Sequence, residues 1–326
     1  MSVLLKKIKI NIYSQFKRNL SNNQYKIRRA LLYVPGDDPK KINKAYKLDV
    51  DCIALDCEDG VAANRKEQAR NTIFEFLNNG KPKKSREFDW GVRINSVKSE
   101  LCQNDLDVIL TAQNLPDTIS LPKVNDTEEL KWFSSQLERF TALKTKISVI
   151  LFIETAQGIM NLKEICTTAK KLSENRNFEP VALVFGGDDY LADIGARKTD
   201  QLTEVLYARQ KLVMMAKAFQ LQAIDVVYIQ YKDLDGLKQQ SIEGANMGYT
   251  GKQVIHPDQV PVVQEAFLPS EKQIKWAKDL IEAYHKYAAS GKGAFNFNGI
   301  MVDSPTLKQA ENLIKFVEVV GKDTNQ

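Results

Sequence analysis

Eight short apolar runs, each followed by a longer segment of helical period, recur through the chain from residue 29 onward. They are "RALLYVPG" (29–36), "DCIALDCEDG" (51–60), "WGVRINS" (90–96), "TISLPKV" (118–124), "ISVILFIET" (147–155), "VALVFGGDD" (181–189), "AIDVVYIQ" (223–230) and "GKQVIH" (251–256). They are rich in Val, Ile and Leu and lack clean alternation, the pattern of parallel strands covered on both faces. The segments between them, such as "NRKEQARNTIFEFL" and "DTEELKWFSSQLERF", read as amphipathic helices, with acids early and Lys or Arg late across the set. Eight strand–helix alternations within about 230 residues predict an α/β fold of the (β/α)8 TIM-barrel type. The competing architecture is an open doubly wound sheet. That fold usually carries a Gly-rich phosphate turn after its first strand, and "VPGDDPKK" has one glycine, so it ranks second.

On this reading residues 28–260 form the barrel and residues 261–326 a C-terminal helical extension. The extension comprises "SEKQIKWAKDLIEAYHKYAAS", a glycine-bearing linker "GKGAFNFNG" and a final helix from about residue 305. It serves either as a lid or subunit contact, or as a helical hairpin packed outside the barrel.

At 326 residues and 43% hydrophobic, the chain can bury a large core. The net charge of +5 is concentrated: residues 1–29 carry eight of the 46 Lys and Arg and no acid, leaving 38 basic against 41 acidic residues beyond them. Residues 1–27 therefore have the composition of a mitochondrial transit segment, with a disordered basic tail as the alternative. Nucleic-acid binding is not expected, because no basic stripe runs through the rest of the chain. No apolar run approaches the roughly 20 residues that span a bilayer, so no membrane role is expected. The cysteines, Cys52, Cys57, Cys102 and Cys166, have no metal-site or disulfide spacing, which fits a reducing compartment.

In a barrel the carboxyl ends of the strands converge on one face. The chemistry-bearing residues there are Tyr33, Asp56, Glu58, Asp59, Arg93, Asn95, Lys123, Glu154, Asp188, Asp189, Gln230 and His256. Glu154 and one of the two adjacent acids Asp188 and Asp189 end neighbouring strands, which lie about 4.8 Å apart. They can share a divalent ion of oxygen preference, or each can cap a helix or bond backbone amides. Arg93 lies inside an apolar strand and needs a carboxylate, either structural or from a substrate. "GDDPKKINKA" starts a helix capped by Asp37 or Asp38. Its Lys40 and Lys44 share a face that either is solvated or meets a phosphate-bearing cofactor. With His256 and His285 as the only histidines, no serine triad is evident, and Lys123 stays open as a Schiff-base lysine. Asp303 reads as the cap of the final helix.

"RALLYVPG", "LDCEDGV", "VRINS", "LPKV", "FIETAQGI", "VFGGDDYLADIG", "GKQVIHP" and "GAFNFNGIMVDSPTLKQA" resemble, in this order, the citrate lyase beta-subunit-like family, which includes malyl-CoA and citramalyl-CoA lyases. The likeness spans about residues 28–318. It implies a homotrimeric (β/α)8 barrel in the mitochondrial matrix that uses Mg2+ and an acyl-CoA substrate. The implied reaction is cleavage of (S)-citramalyl-CoA to acetyl-CoA and pyruvate through an enolate, with minor malate or citramalate synthase activity. A malyl-CoA lyase, a malyl-CoA thioesterase and a non-catalytic CoA-binding protein are the alternatives. Carried onto this sequence, the resemblance makes Glu154 and Asp189 the metal ligands, supported by Glu58, Asp59 and Asp188. Arg93 would meet the acyl group. Tyr33, Lys40 and Lys44, with the backbone around Ile255 and His256, would hold the CoA portion. Asp303 would be the catalytic acid/base, donated to a neighbouring subunit. The histidine base of the related class II pyruvate aldolases has no counterpart, since no histidine precedes residue 256.

Overall fold

The computed structural model describes residues 26–84, 86–140, 146–288 and 295–324, and places the eight apolar runs in one closed parallel barrel with strands in sequential order. The strands are β1 (Ala30–Pro35), β2 (Cys52–Asp56), β3 (Asp89–Arg93), β4 (Thr118–Leu121), β5 (Ile147–Ile153), β6 (Phe178–Phe185), β7 (Gln222–Asp225) and β8 (Gly251–Val254). In order, they are followed by α1 (Pro39–Ala45), α2 (Lys66–Asn78), α3 (Leu101–Ile109), α4 (Thr127–Leu137), the pair α5 (Ala156–Met160) and α6 (Leu162–Glu174), the pair α7 (Gly187–Ile194) and α8 (Leu206–Ala218), α9 (Leu234–Met247) and α10 (Gln259–Ala266). All but two residues of the leader-like segment lie outside the described residues.

The missing alternation in the strands has a direct cause. Successive side chains point to opposite faces, and here both faces are apolar. Leu31, Ala54, Ile150, Phe152, Val184 and Ile224 fill the barrel lumen. Leu32, Ile53, Leu151 and Phe185 point outward and pack with helix residues such as Ile42, Ile73, Phe133 and Leu212.

The floor of the barrel is ionic. Arg28 bonds buried Asp89, which also accepts from Thr118 Oγ1 at 2.6 Å, and Arg29 meets buried Asp51 at 2.8 Å. Lys26 reaches Asp117 at 3.0 Å. Three of the eight basic residues in the acid-free stretch 1–29, namely Lys26, Arg28 and Arg29, therefore pair with acids of the barrel. Burial alone would raise the Asp89 pKa, but Arg28 and Lys26 hold it below the usual carboxylate range. Its contribution to stability is thus present above about pH 4 and lost as the pH falls through the lowered value. Arg28→Met would leave that carboxylate buried without its main partner. Thermal and urea unfolding at pH 7 should show a loss of about 3 kcal/mol or more, and an unchanged transition would show that the pair contributes nothing.

The C-terminal extension contains α11 (Glu271–Ala288), a hairpin of β9 (Phe295–Phe297) and β10 (Ile300–Val302), and α12 (Ser304–Thr324). Ala277, Leu280, Val302 and Ala310 form a small core separate from that of the barrel. Part of the expected linker is therefore a β-hairpin. Its turn is Asn298-Gly299, with φ of 51° and 84°, the left-handed pair that two-residue hairpin turns require. The Asn-Gly dipeptide was the sequence signal for it. Two strand ends also differ from expectation. β6 stops at Phe185 and β7 at Asp225, so Asp188, Asp189 and Gln230 lie beyond the strands.

Candidate active site

Strand alternation builds the site as the top layer of the lumen. The series Cys52, Ala54, Asp56 and Ile150, Phe152, Glu154 each advance by two residues, so the side chains above the apolar plug are carboxylates. The β2–β3 register sets Asp56 opposite Arg93. Arg93 donates from Nε to Asp56 Oδ1 at 2.7 Å and from Nη2 to Oδ2 at 2.6 Å. The carboxylate that Arg93 requires is therefore Asp56. Asp56 also accepts from the N–H groups of Glu58 at 2.8 Å and Gly60 at 2.9 Å, so both its oxygens are committed within the protein. Arg93 Nη1 lies 3.1 Å from Glu58 Oε2, and the guanidinium sits 4.4 Å from the centre of the Tyr33 ring. Tyr33 donates its hydroxyl to Gln253 at 2.8 Å, and Gln253 in turn donates to the carbonyls of Phe185 and Asp225. Gln253, absent from the sequence-level list, fixes the ring against which the guanidinium lies.

Glu154 is the next residue after β5, whose last residue pairs with Phe185, the last residue of β6. The residue after Phe185 thus lies beside Glu154, and it is Gly186. A Cβ there would stand 2.5 Å from Glu154 Cγ and 2.7 Å from Oε1, so a larger residue would displace the carboxylate. At Gly187 a Cβ would meet Val226 at 2.7 Å. The two glycines admit the neighbouring side chains of Glu154 and Val226.

Asp188 and Asp189 occupy the first turn of α7, where negative charge complements the helix dipole. Consecutive helical residues point about 100° apart, which separates their roles. Asp188 is ion-paired with Lys198 at 2.6 Å. Asp189 lines a cavity of about 370 Å³ together with Glu154, Lys123, Asn125, Thr155 and Lys98. Burial raises the Glu154 pKa to about 8, and the charges of Glu58 and Asp189 push it the same way. Burial also raises Asp189.

Lys123 joins these groups. Its N–H donates to Glu154 Oε2 at 3.0 Å, while its ammonium lies 2.6 Å from Glu58 Oε1 and 3.2 Å from Asp59 Oδ1. Burial would lower its pKa, but Glu58 and Asp59 outweigh that and raise it. A Schiff-base role needs a neutral amine, which this environment disfavours. Burial raises Glu58 and would raise Asp59, yet Lys123 and Arg93 bring Asp59 below its ordinary value.

Among the described residues, the Lys123 N–H is the one hydrogen-bond donor to the Glu154 carboxylate, and none is directed at Asp189. No cluster of three or more metal-ligating side chains occurs among the described residues. Two adjacent carboxylates with unfilled acceptor capacity, in a cavity open to water and substrate oxygens, fit Mg2+, which commonly takes one or two carboxylates and completes its octahedron with other oxygens.

The remaining expected site residues stand apart. Asp38 caps α1, and Lys40 and Lys44 are exposed on that helix at the rim. Asp37 instead pairs with Arg65 at 2.9 Å. The N–H groups of Ile255 and His256 both donate to Gln259 Oε1, so this backbone is held by the protein, and the His256 ring lies 4.9 Å from that of Tyr231. Asp303 accepts from Thr306 N at 3.2 Å and Oγ1 at 3.0 Å, the geometry of a helix cap. No described hydrogen bond or ion pair joins it to Glu154, Asp189 or Arg93 of the same chain.

The profile of the HpcH/HpaI aldolase/citrate lyase family matches residues 29–257, the extent of the barrel. The chain belongs to this family. Within the HpcH/HpaI group it is 47% identical to the mitochondrial citramalyl-CoA lyase of Mus musculus, over 94% of this chain and 90% of that protein, and 48% identical to the Homo sapiens enzyme over 90% and 86%. Among solved structures, CitE from Mycobacterium tuberculosis in complex with magnesium, acetoacetate and coenzyme A superposes with a TM-score of 0.70. It is 28% identical and covers 92% of this chain and 99% of that one. A citrate lyase from Burkholderia xenovorans gives a TM-score of 0.77 at 20% identity, covering 94% of this chain and 97% of that one, and shares the barrel fold.

Proposed function

We propose that this protein is a Mg2+-dependent citramalyl-CoA lyase of the mitochondrial matrix, cleaving (S)-citramalyl-CoA to acetyl-CoA and pyruvate. The observation that carries this reading is the Glu154–Asp189 carboxylate pair, which has unfilled acceptor capacity and sits beside the Arg93–Asp56 pair at the mouth of the barrel. The substrate class follows from the similarity to citramalyl-CoA lyases along nearly the whole chain.

Glu154 and Asp189 would hold the metal, and bound Mg2+ supplies Lewis-acid polarisation of the substrate's hydroxyl or keto oxygen. Arg93, fixed by Asp56, Glu58 and Tyr33, presents a rigid cation toward the acyl group. Lys40, Lys44 and the rim near Ile255 and His256 would contact the CoA portion. Asp303 would take the proton of the tertiary hydroxyl as the carbon–carbon bond electrons pass to the carbon next to the thioester, giving pyruvate and the acetyl-CoA enolate. Asp303 would protonate that carbon, and in the reverse direction it would remove a proton from the acetyl methyl group. Its place on an arm with a core of its own suits donation to a neighbouring subunit of a homotrimer. The division into a leader (1–27), a barrel (28–260) and a subunit-contacting arm (261–326) belongs to the same proposal.

Incubation with citramalyl-CoA and Mg2+ should release pyruvate and acetyl-CoA in equal amounts, and EDTA should stop it. Release of free CoA without pyruvate would indicate thioester hydrolysis, and pyruvate formed equally well in EDTA would overturn the metal-dependent reading.

A further inference from the structure

Lys123 is the residue at which the two acidic groups of the barrel mouth meet. It follows β4 with φ of +54°, a left-handed conformation that is uncommon for a long side chain and is retained only where the surroundings enforce it. That conformation accompanies a division of labour within one residue. The main-chain N–H points at Glu154, and the ammonium points at Glu58 and Asp59 beyond the end of β2. Glu58 is buried and also touches Arg93, whereas Asp59 is exposed. The Glu58–Asp59 pair and the cavity-lining Glu154–Asp189 pair are close enough for their charges to act on one another, and Lys123 stands between them, offsetting the first pair and leaving the second to receive a cation.

We propose that Lys123 is a positioning residue of the lyase reaction. It fixes the orientation of Glu154 through its backbone and offsets the charge of Glu58 and Asp59 with its side chain, so that a divalent cation is confined to Glu154 and Asp189. The inference rests on the Glu154–Asp189 metal reading and adds to it the means by which neighbouring carboxylates are prevented from competing. The ammonium is engaged with protein carboxylates and takes no part in bond making.

Removing the positive charge should strengthen cation binding while weakening catalysis, a combination that loss of packing does not produce. Mn2+ binding to the full chain, followed by the electron paramagnetic resonance signal of the free ion, gives affinity and stoichiometry without turnover. Lys123→Met should bind Mn2+ about threefold tighter or more, while kcat falls about tenfold or more because uncompensated carboxylates oppose the developing enolate. Lys123→Arg, which keeps the charge, should hold Mn2+ affinity within about twofold of wild type. Adding Asp59→Asn to Lys123→Met should reverse the gain in affinity. Unchanged affinity and kcat in Lys123→Met would overturn the proposal. So would a joint fall of Mn2+ affinity and melting temperature, which marks a purely structural lysine. Glu154→Gln is the control for the underlying reading. If it binds Mn2+ like wild type, the metal assignment itself fails. If it loses binding while Lys123→Met matches wild type, the role of Lys123 alone is refuted.

Discussion

Asp303→Asn is expected to lower the cleavage rate about a hundred- to ten-thousandfold, the range that a general acid or base supplies, while leaving the fold and CoA binding intact. Asparagine is the informative replacement because Asp303 also caps α12 through Thr306. Asn caps a helix about as well as Asp, so the substitution removes the proton-transfer group and keeps the cap. Steady-state kinetics beside thermal unfolding separate the two functions, and near-normal turnover would remove Asp303 from the chemistry. The same variant tests whether the group acts between subunits. Mixing Asp303→Asn chains with Glu154→Gln chains, each inactive alone, should restore about a quarter of wild-type activity if subunits assemble at random and each site takes Asp303 from one neighbour. No recovery after verified exchange would place Asp303 in its own chain's site.

The second large effect concerns the carboxylate pair. Glu154→Gln and Asp189→Asn should each weaken Mg2+ binding about a hundredfold or more and reduce turnover correspondingly, since a two-carboxylate site loses half of its charged ligands in either variant. Asp188→Asn should change metal affinity by less than about threefold, because its carboxylate is directed to Lys198. Calorimetric titration with Mg2+ checks all three. Equal losses at Asp188 and Asp189 would refute the separation that one helical step imposes on them. The contrast is sharp because the two residues are chemically identical and adjacent.

Much of the site was legible in the sequence because a barrel converts linear position into spatial position. Any polar residue that ends an apolar strand arrives at the same mouth, so the placement of Arg93, Glu154 and Glu58 follows from the strand pattern alone. The identity of Arg93's partner did not follow. It depends on the parallel register that sets Asp56 opposite, and the pattern permitted a substrate carboxylate equally well. The choice between Asp188 and Asp189 was also invisible to strand periodicity, since the strand stops at Phe185 and the acids belong to a helix.

Local chemistry written in the chain determined the eightfold alternation, the ring of acids around one arginine and the acid-free leader composition, because periodicity, charge and turn residues are properties of neighbours in sequence. The Asn298-Gly299 hairpin belongs with them. Tertiary structure alone decided that Lys26, Arg28 and Arg29 close the floor, that Gly186 makes room for Glu154, and that Lys123 binds two acidic groups at once from a left-handed backbone. Each of these depends on distances between residues about 20 to 90 positions apart in the chain, and such distances are fixed only when the barrel closes and sets the register of its strands.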